Sequence, residues 1–143
     1  MKINRRGSAV WHGGIKDGKG AISTESGALS SYPYGFSSRF EGQRGSNPEE
    51  LIGAAHASCF TMALSLILGE AKLTAEELST TAEVTLEQVD GGWGITAIHL
   101  TLTGKVPGAD QAIFESLAGK AKANCPVSKL LKADITLTAT LTN

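Results

Sequence analysis

Between Asn47 and Ala71 the chain carries a long apolar stretch that reads as one helix with no polar side to turn toward water. Asn47 is a good N-cap, Pro48 suits the first helical position, and Glu50 three residues past the cap completes a capping-box pattern. From there the helix is predicted to run toward Gly69 or Ala71. Leu51, Ile52, Ala54, Ala57, Phe60, Met62, Ala63, Leu64, Leu66, Ile67 and Leu68 fall on nearly every side of it. A helix without a polar face must be covered all round. A chain of 143 residues forms one domain with one core, spanning 1–143, and would struggle to cover such a helix alone. The pattern therefore predicts a partner subunit.

The same stretch is not read as a membrane span. Its most apolar part, Ala54 to Leu68, is interrupted by His56, Ser58, Thr61 and Ser65 and falls short of the ~20 residues a bilayer needs. No N-terminal pattern resembles a secretory signal. The formal charge of −1 offers no basic field for a nucleic-acid partner. A reducing cytoplasmic setting is expected.

Nine of the 17 glycines lie before Ser46, which reads as short strands and turns. Ser8–Trp11 and Ala21–Thr24 are the candidate strands, joined by a hairpin through Lys16 to Gly20. After the helix, Thr81–Gln88 and Ile95–Thr103 alternate with period two and meet across Asp90-Gly91-Gly92. Gln111–Ala123 reads as a second helix, Cys125-Pro126 opens a short third one through Leu131, and Asp134–Leu141 is a closing strand. This order is α+β rather than a βαβ series.

Two cysteines in a reducing compartment are seldom a structural staple, and they are too few for a thiolate zinc site. Cys59 sits mid-helix among apolar residues, where it could be a small core hydrophobe. Burial would raise its pKa and leave it inert. At a pKa near 8.5 roughly 3% of a thiol is ionised at pH 7, against roughly 90% at a pKa of about 6; the difference is roughly 3.4 kcal/mol of thiolate stabilisation. The helix N-terminus, roughly 15 Å away, is too distant to supply it. An arginine is the better source. Cys125 precedes Pro126-Val127-Ser128 at the N-cap of a short helix, where free N–H groups favour a negative sulfur. The two cysteines lie 66 positions apart, and spacing alone leaves a disulfide open. His56, one turn before Cys59, could form a Cys–His pair or be a core histidine. His12 and His99 have no metal-like spacing.

Several stretches together resemble the OsmC/Ohr family of organic hydroperoxide reductases, and its OsmC branch in particular. They are Tyr34-Gly35-Phe36, Arg39-Phe40-Glu41-Gly42, Asn47 through Ala57 followed by Cys59-Phe60, and Asn124-Cys125-Pro126-Val127-Ser128. The resemblance runs essentially end to end. It implies an OsmC-like α+β fold, with antiparallel sheets around a central buried helix, in an intertwined homodimer. It also implies a cysteine peroxidase that needs no cofactor or metal. Cys59 matches the peroxide-attacking cysteine, Cys125 the resolving cysteine, Arg39 the branch's arginine, and Glu49 the glutamate ten positions before the reactive cysteine. Asn124 stands where the family pattern has Gly.

The implied cycle uses Arg39 to stabilise the Cys59 thiolate and Glu49 to hold the guanidinium. An organic hydroperoxide is the substrate, an external dithiol the reductant, and Phe36, Phe60 and Met62 the apolar surroundings of its tail. Glu49 and Cys59 are roughly 15 Å apart along one helix, so each site is expected to be shared between two chains. Two other classes remain open: a Cys59/His56 hydrolase, and a non-enzymatic module binding an apolar ligand.

Overall fold

The computed structural model describes all residues, Met1–Asn143, which divide into two compact units, Met1–Leu51 and Ile52–Asn143. The division falls inside the long helix.

In the first unit, β1 (Gly7–His12), β2 (Lys19–Thr24) and β3 (Tyr32–Tyr34) form an antiparallel sheet in that order. β1 and β2 extend the two strands read from sequence by one or two residues, with the expected hairpin between them. Trp11 and Tyr34 meet edge to face at 5.5 Å over Gly20. A Cβ at Gly20 would collide with both rings, so glycine is required there. β3 leads into a one-turn helix, α1 (Phe36–Phe40), which the sequence pattern did not announce. Five residues are too few for a helical period, and no Ser, Thr, Asp or Asn precedes them. Ser38 ties the turn down: its hydroxyl accepts from the Gly35 N–H and lies 2.8 Å from the Ser46 carbonyl.

The long helix, α2, spans Pro48–Glu70. Asn47 caps it as read from sequence, its Oδ1 accepting from the Glu50 N–H at 2.8 Å. The reciprocal half of the capping box is replaced: the Glu50 carboxylate accepts from the Ser46 hydroxyl at 2.7 Å. At the other end Lys72 takes a left-handed conformation (φ 62°), and the N–H groups of Lys72 and Leu73 bond back to the carbonyls of Gly69 and Leu68. This is a Schellman closure with lysine in the place glycine usually holds.

In the second unit, β4 (Glu77–Val89) and β5 (Gly92–Lys105) form a long antiparallel hairpin across Asp90-Gly91, with Gly91 at φ 86°. Both strands outrun the predicted spans, because polar, exposed ends weaken alternation without weakening the ladder. α3 (Gln111–Asn124) is capped by Asp110, α4 (Pro126–Leu130) follows, and β6 (Asp134–Leu141) completes the sheet in the order β4-β5-β6. β6 runs parallel to β5. The sheets are therefore not all antiparallel as expected: the chain is α+β, but it closes on a parallel crossover. The physical reason is that α3 and α4 carry the chain back to the start of β5 before β6 begins.

The core of this unit joins Phe60, Leu64 and Leu68 of α2 to Ile98, Leu100 and Leu102 of β5 and to Phe114, Leu117, Ala118 and Ala121 of α3. On α2 the buried stripe is Gly53, His56, Phe60, Leu64 and Leu68, a 3–4 residue repeat. The single chain does not cover the helix all round, in keeping with the expectation that a chain of this size could not do so alone. Met62 and Leu66 are 77% and 67% exposed on the opposite face. With 23 residues, α2 is also long and apolar enough, by length and composition, to cross a bilayer, contrary to the sequence reading; its buried stripe is instead part of the core.

Candidate active site

Two pairs of the expected residues are assembled. The first lies within the first unit. α1 presents Arg39 and the first turn of α2 presents Glu49, which is only 8% exposed. The guanidinium donates through Nη2 to Glu49 Oε1 at 2.7 Å and through Nε at 3.1 and 3.3 Å to the two carboxylate oxygens. Two nitrogens on one carboxylate fix the plane of the guanidinium, which a single contact would leave free to swivel. The Phe40 ring lies 5.4 Å from Arg39 Cζ. Beside the pair is a pocket of about 290 Å³ lined by Trp11, Ile15, Tyr34, Phe36, Arg39 and Phe40. It is an apolar recess with one cation in its wall. Of the three apolar residues expected near substrate, only Phe36 lines it. Phe60 is wholly buried in the core, and Met62 borders a different, shallow groove on α2.

The second pair lies within the second unit. Cys59, partly exposed on α2, and Cys125, fully buried at the junction of α3 and α4, are free thiols within hydrogen-bond reach of each other. Cys125 is at once the C-cap of α3 and the N-cap of α4. Asn124 ends α3, its side chain donating to the Lys120 carbonyl at 2.9 Å. A residue that finishes its helix this way explains how the loop accepts Asn in place of Gly.

The two sulfurs are unequal. Burial raises the Cys59 thiol pKa, the hydrogen bond to Cys125 raises it further, and the Val127 amide only partly offsets this. Burial also pushes Cys125 up, but the hydrogen bond from Cys59, the Ser128 amide and hydroxyl, and the Val127 amide bring it below its ordinary value. These amides act on the sulfur without closing a formal cap hydrogen bond. Within this unit Cys125 is therefore the thiol more readily ionised, and no cation is among the groups acting on Cys59.

His56 does not pair with Cys59. Its Nε2 lies 2.7 Å from Ser128 Oγ, its Nδ1 has no hydrogen-bond partner, and burial lowers its pKa. That removes the geometry a Cys–His hydrolase would need. The Ser128 contact was not legible in the sequence, since the two residues are 72 positions apart. No cluster of three or more His, Cys, Asp or Glu side chains could hold a metal ion.

The second unit thus brings two free thiols within hydrogen-bond reach of each other, and the first unit locks an arginine against a carboxylate. The family profile described as OsmC-like protein matches residues 40–140. Peroxiredoxin OsmC of Escherichia coli is 58% identical over 137 residues, covering 96% of each chain. The organic hydroperoxide resistance protein of Xanthomonas axonopodis pv. citri is 37% identical over 101 residues, covering 70% of this chain and 69% of that one. Among solved structures, an organic hydroperoxide resistance protein from Elizabethkingia anophelis superposes with a TM-score of 0.72 at 28% identity, covering 100% and 99%. The chain belongs to the OsmC/Ohr family.

Proposed function

We propose that the chain is a thiol-dependent peroxidase that reduces organic hydroperoxides to alcohols through Cys59 and Cys125. The peroxiredoxin and hydroperoxide-resistance activities in its relatives' names support the class of reaction. The observation that carries the two-cysteine cycle is the juxtaposition of Cys59 and Cys125 from separate elements.

In that cycle the Cys59 thiolate attacks one peroxide oxygen; the O–O bond breaks and the alcohol leaves, and Cys59 becomes a sulfenic acid. Cys125 then attacks the sulfenic sulfur, a disulfide forms and water departs. An external dithiol returns both thiols. The disulfide removes the sulfenic acid before a second peroxide can carry it to the irreversible sulfinic level.

Arg39 has the task of drawing the negative charge from Cys125 onto Cys59. Glu49 occupies its Nε and Nη2, leaving Nη1 for a sulfur or a peroxide oxygen. Glu49 and Cys59 sit on one helix ten residues apart, roughly 15 Å along the axis. A homodimer in which Arg39 and Glu49 of one chain meet Cys59 of the other resolves this distance, and the exposed Met62 and Leu66 of α2 supply an apolar face for it. The pocket holding Phe36 and Arg39 suits an apolar tail with a polar head. Unpaired thiols fit a cytoplasmic setting.

The test is consumption of cumene hydroperoxide with dihydrolipoamide as dithiol. Cys59→Ser should abolish it. Cys125→Ser should allow one oxidation per Cys59 and then stall or over-oxidise. Undiminished turnover in Cys59→Ser would overturn the reading, and intact function without both cysteines would favour an apolar-ligand module.

A further inference from the structure

His56, on α2 one turn before Cys59, is fully buried, and the cycle above does not use it. A neutral imidazole carries one N–H, and its two nitrogens here have different prospects. Nε2 faces the Ser128 hydroxyl at 2.7 Å, and Nδ1 faces nothing it can bond. With the proton on Nδ1, a donor would be orphaned in the core, and Ser128's only hydrogen would be turned toward Nε2. With the proton on Nε2, the orphan is merely a lone pair, the less severe of the two penalties. The imidazole then donates to Ser128 Oγ, and the serine hydrogen is free for another acceptor.

That acceptor is in place. Ser128 is the third residue of the helix that Cys125 caps, the position from which a side chain reaches back to its N-cap. The Ser128 hydroxyl is among the groups that favour a negative Cys125 sulfur. We propose that His56 and Ser128 form a donor relay, Nε2–H to Oγ–H to Sγ, that holds Cys125 ready as the attacking thiolate and so sets the rate at which it resolves oxidised Cys59. His56 and Ser128 are positioning residues, and neither gains nor loses a proton overall. Cys125 attacks the sulfur of Cys59, the S–S bond forms, the S–O bond breaks, and the departing hydroxide takes up the proton that Cys125 gave up. This relay rests on the resolving role given to Cys125.

Rapid mixing of the dithiol-reduced protein with cumene hydroperoxide separates two phases. Loss of the Cys59 thiol depends on peroxide concentration; disulfide formation does not. Ser128→Ala should slow the second phase about tenfold, the worth of one hydrogen bond to a charged sulfur. The first phase should change far less, and sulfinic acid should accumulate at Cys59 in excess peroxide. Ser128→Thr, which keeps the hydroxyl, should recover most of the second-phase rate. His56→Gln, which can place an N–H donor near the same point, should do better than His56→Leu, and this pair decides the matter if Ser128→Ala does not fold. An unchanged second phase in Ser128→Ala, or no recovery in Ser128→Thr, would overturn the relay. Absence of the first phase in the unaltered protein would overturn the peroxidase cycle and the relay with it.

Discussion

Arg39 and Glu49 make a specific quantitative demand on the proposed chemistry. Without a cation, burial and Cys125 keep the Cys59 thiol protonated. An opposite charge within contact distance lowers a pKa by roughly 1–3 units, enough to move a thiol from a few per cent ionised to mostly ionised at pH 7. Arg39→Ala should therefore cut the peroxide-dependent oxidation rate at pH 7 by about 30-fold and shift the alkylation profile of Cys59 toward higher pH. Glu49→Gln leaves the charge but loosens its aim, and a smaller loss with the same sign is expected. A titration in which Arg39→Ala alkylates like the unaltered protein would remove the arginine from the site. None of the four residues was persuasive from spacing alone. Their grouping came from the family resemblance, and the structure adds the Arg39–Glu49 lock and the approach of the two sulfurs.

Local signals were strongest where an element follows from its own residues. The Asn47-Pro48 start of α2, the Asp90-Gly91 hairpin and the Cys125-Pro126 break were all legible because caps and turns depend on a few adjacent side chains. The short α1 was too brief to show a helical period, and the parallel seat of β6 and the serine that finds His56 depend on partners far along the chain. Which face of α2 its own chain covers was likewise not legible, since composition reports how apolar a helix is and not which side its neighbours bury. Its two glycines expose that asymmetry. A Cβ at Gly53 would sit 3.1 Å from the Ala82 carbonyl, whereas one at Gly69 would meet nothing. Replacing either with Ala gains roughly 0.8–1.0 kcal/mol of helix propensity in an interior position, somewhat less near an end. Gly69→Ala should raise the unfolding temperature; Gly53→Ala should not, because the backbone of β4 must yield to admit the methyl. Equal stabilisation by both would mean that α2 does not lie as closely on β4 as described.

For the molecule as a whole, the proposed homodimer rests on the exposed apolar face of α2. Met62 and Leu66 point away from the core their own chain builds. Sedimentation should find the reduced protein at twice the 14.9 kDa chain mass. Met62→Lys combined with Leu66→Lys should lower that mass toward one chain and reduce peroxidase turnover with it, even though neither residue belongs to the redox pair. A fully active monomer would rule out a site shared between chains. Mixing the weakened Arg39→Ala chain with the inactive Cys59→Ser chain should raise activity above that of either alone, as only a site built from two chains permits.

The junction of α3 and α4 places Cys125 against a helix 66 positions earlier, and each turnover would close that span with a covalent bond. A cross-link over so long a loop restricts the unfolded chain by about 4 kcal/mol at 25 °C on the loop-entropy estimate. The oxidised form should accordingly melt several degrees above the reduced one, a difference calorimetry on dithiol-treated and peroxide-treated samples would register. By linkage, the same free energy lowers the reduction potential of the disulfide by about 90 mV relative to an unconstrained pair. Fold stability would thus help to select the reductant: a dithiol too weakly reducing to meet that potential would leave the enzyme oxidised after one turn.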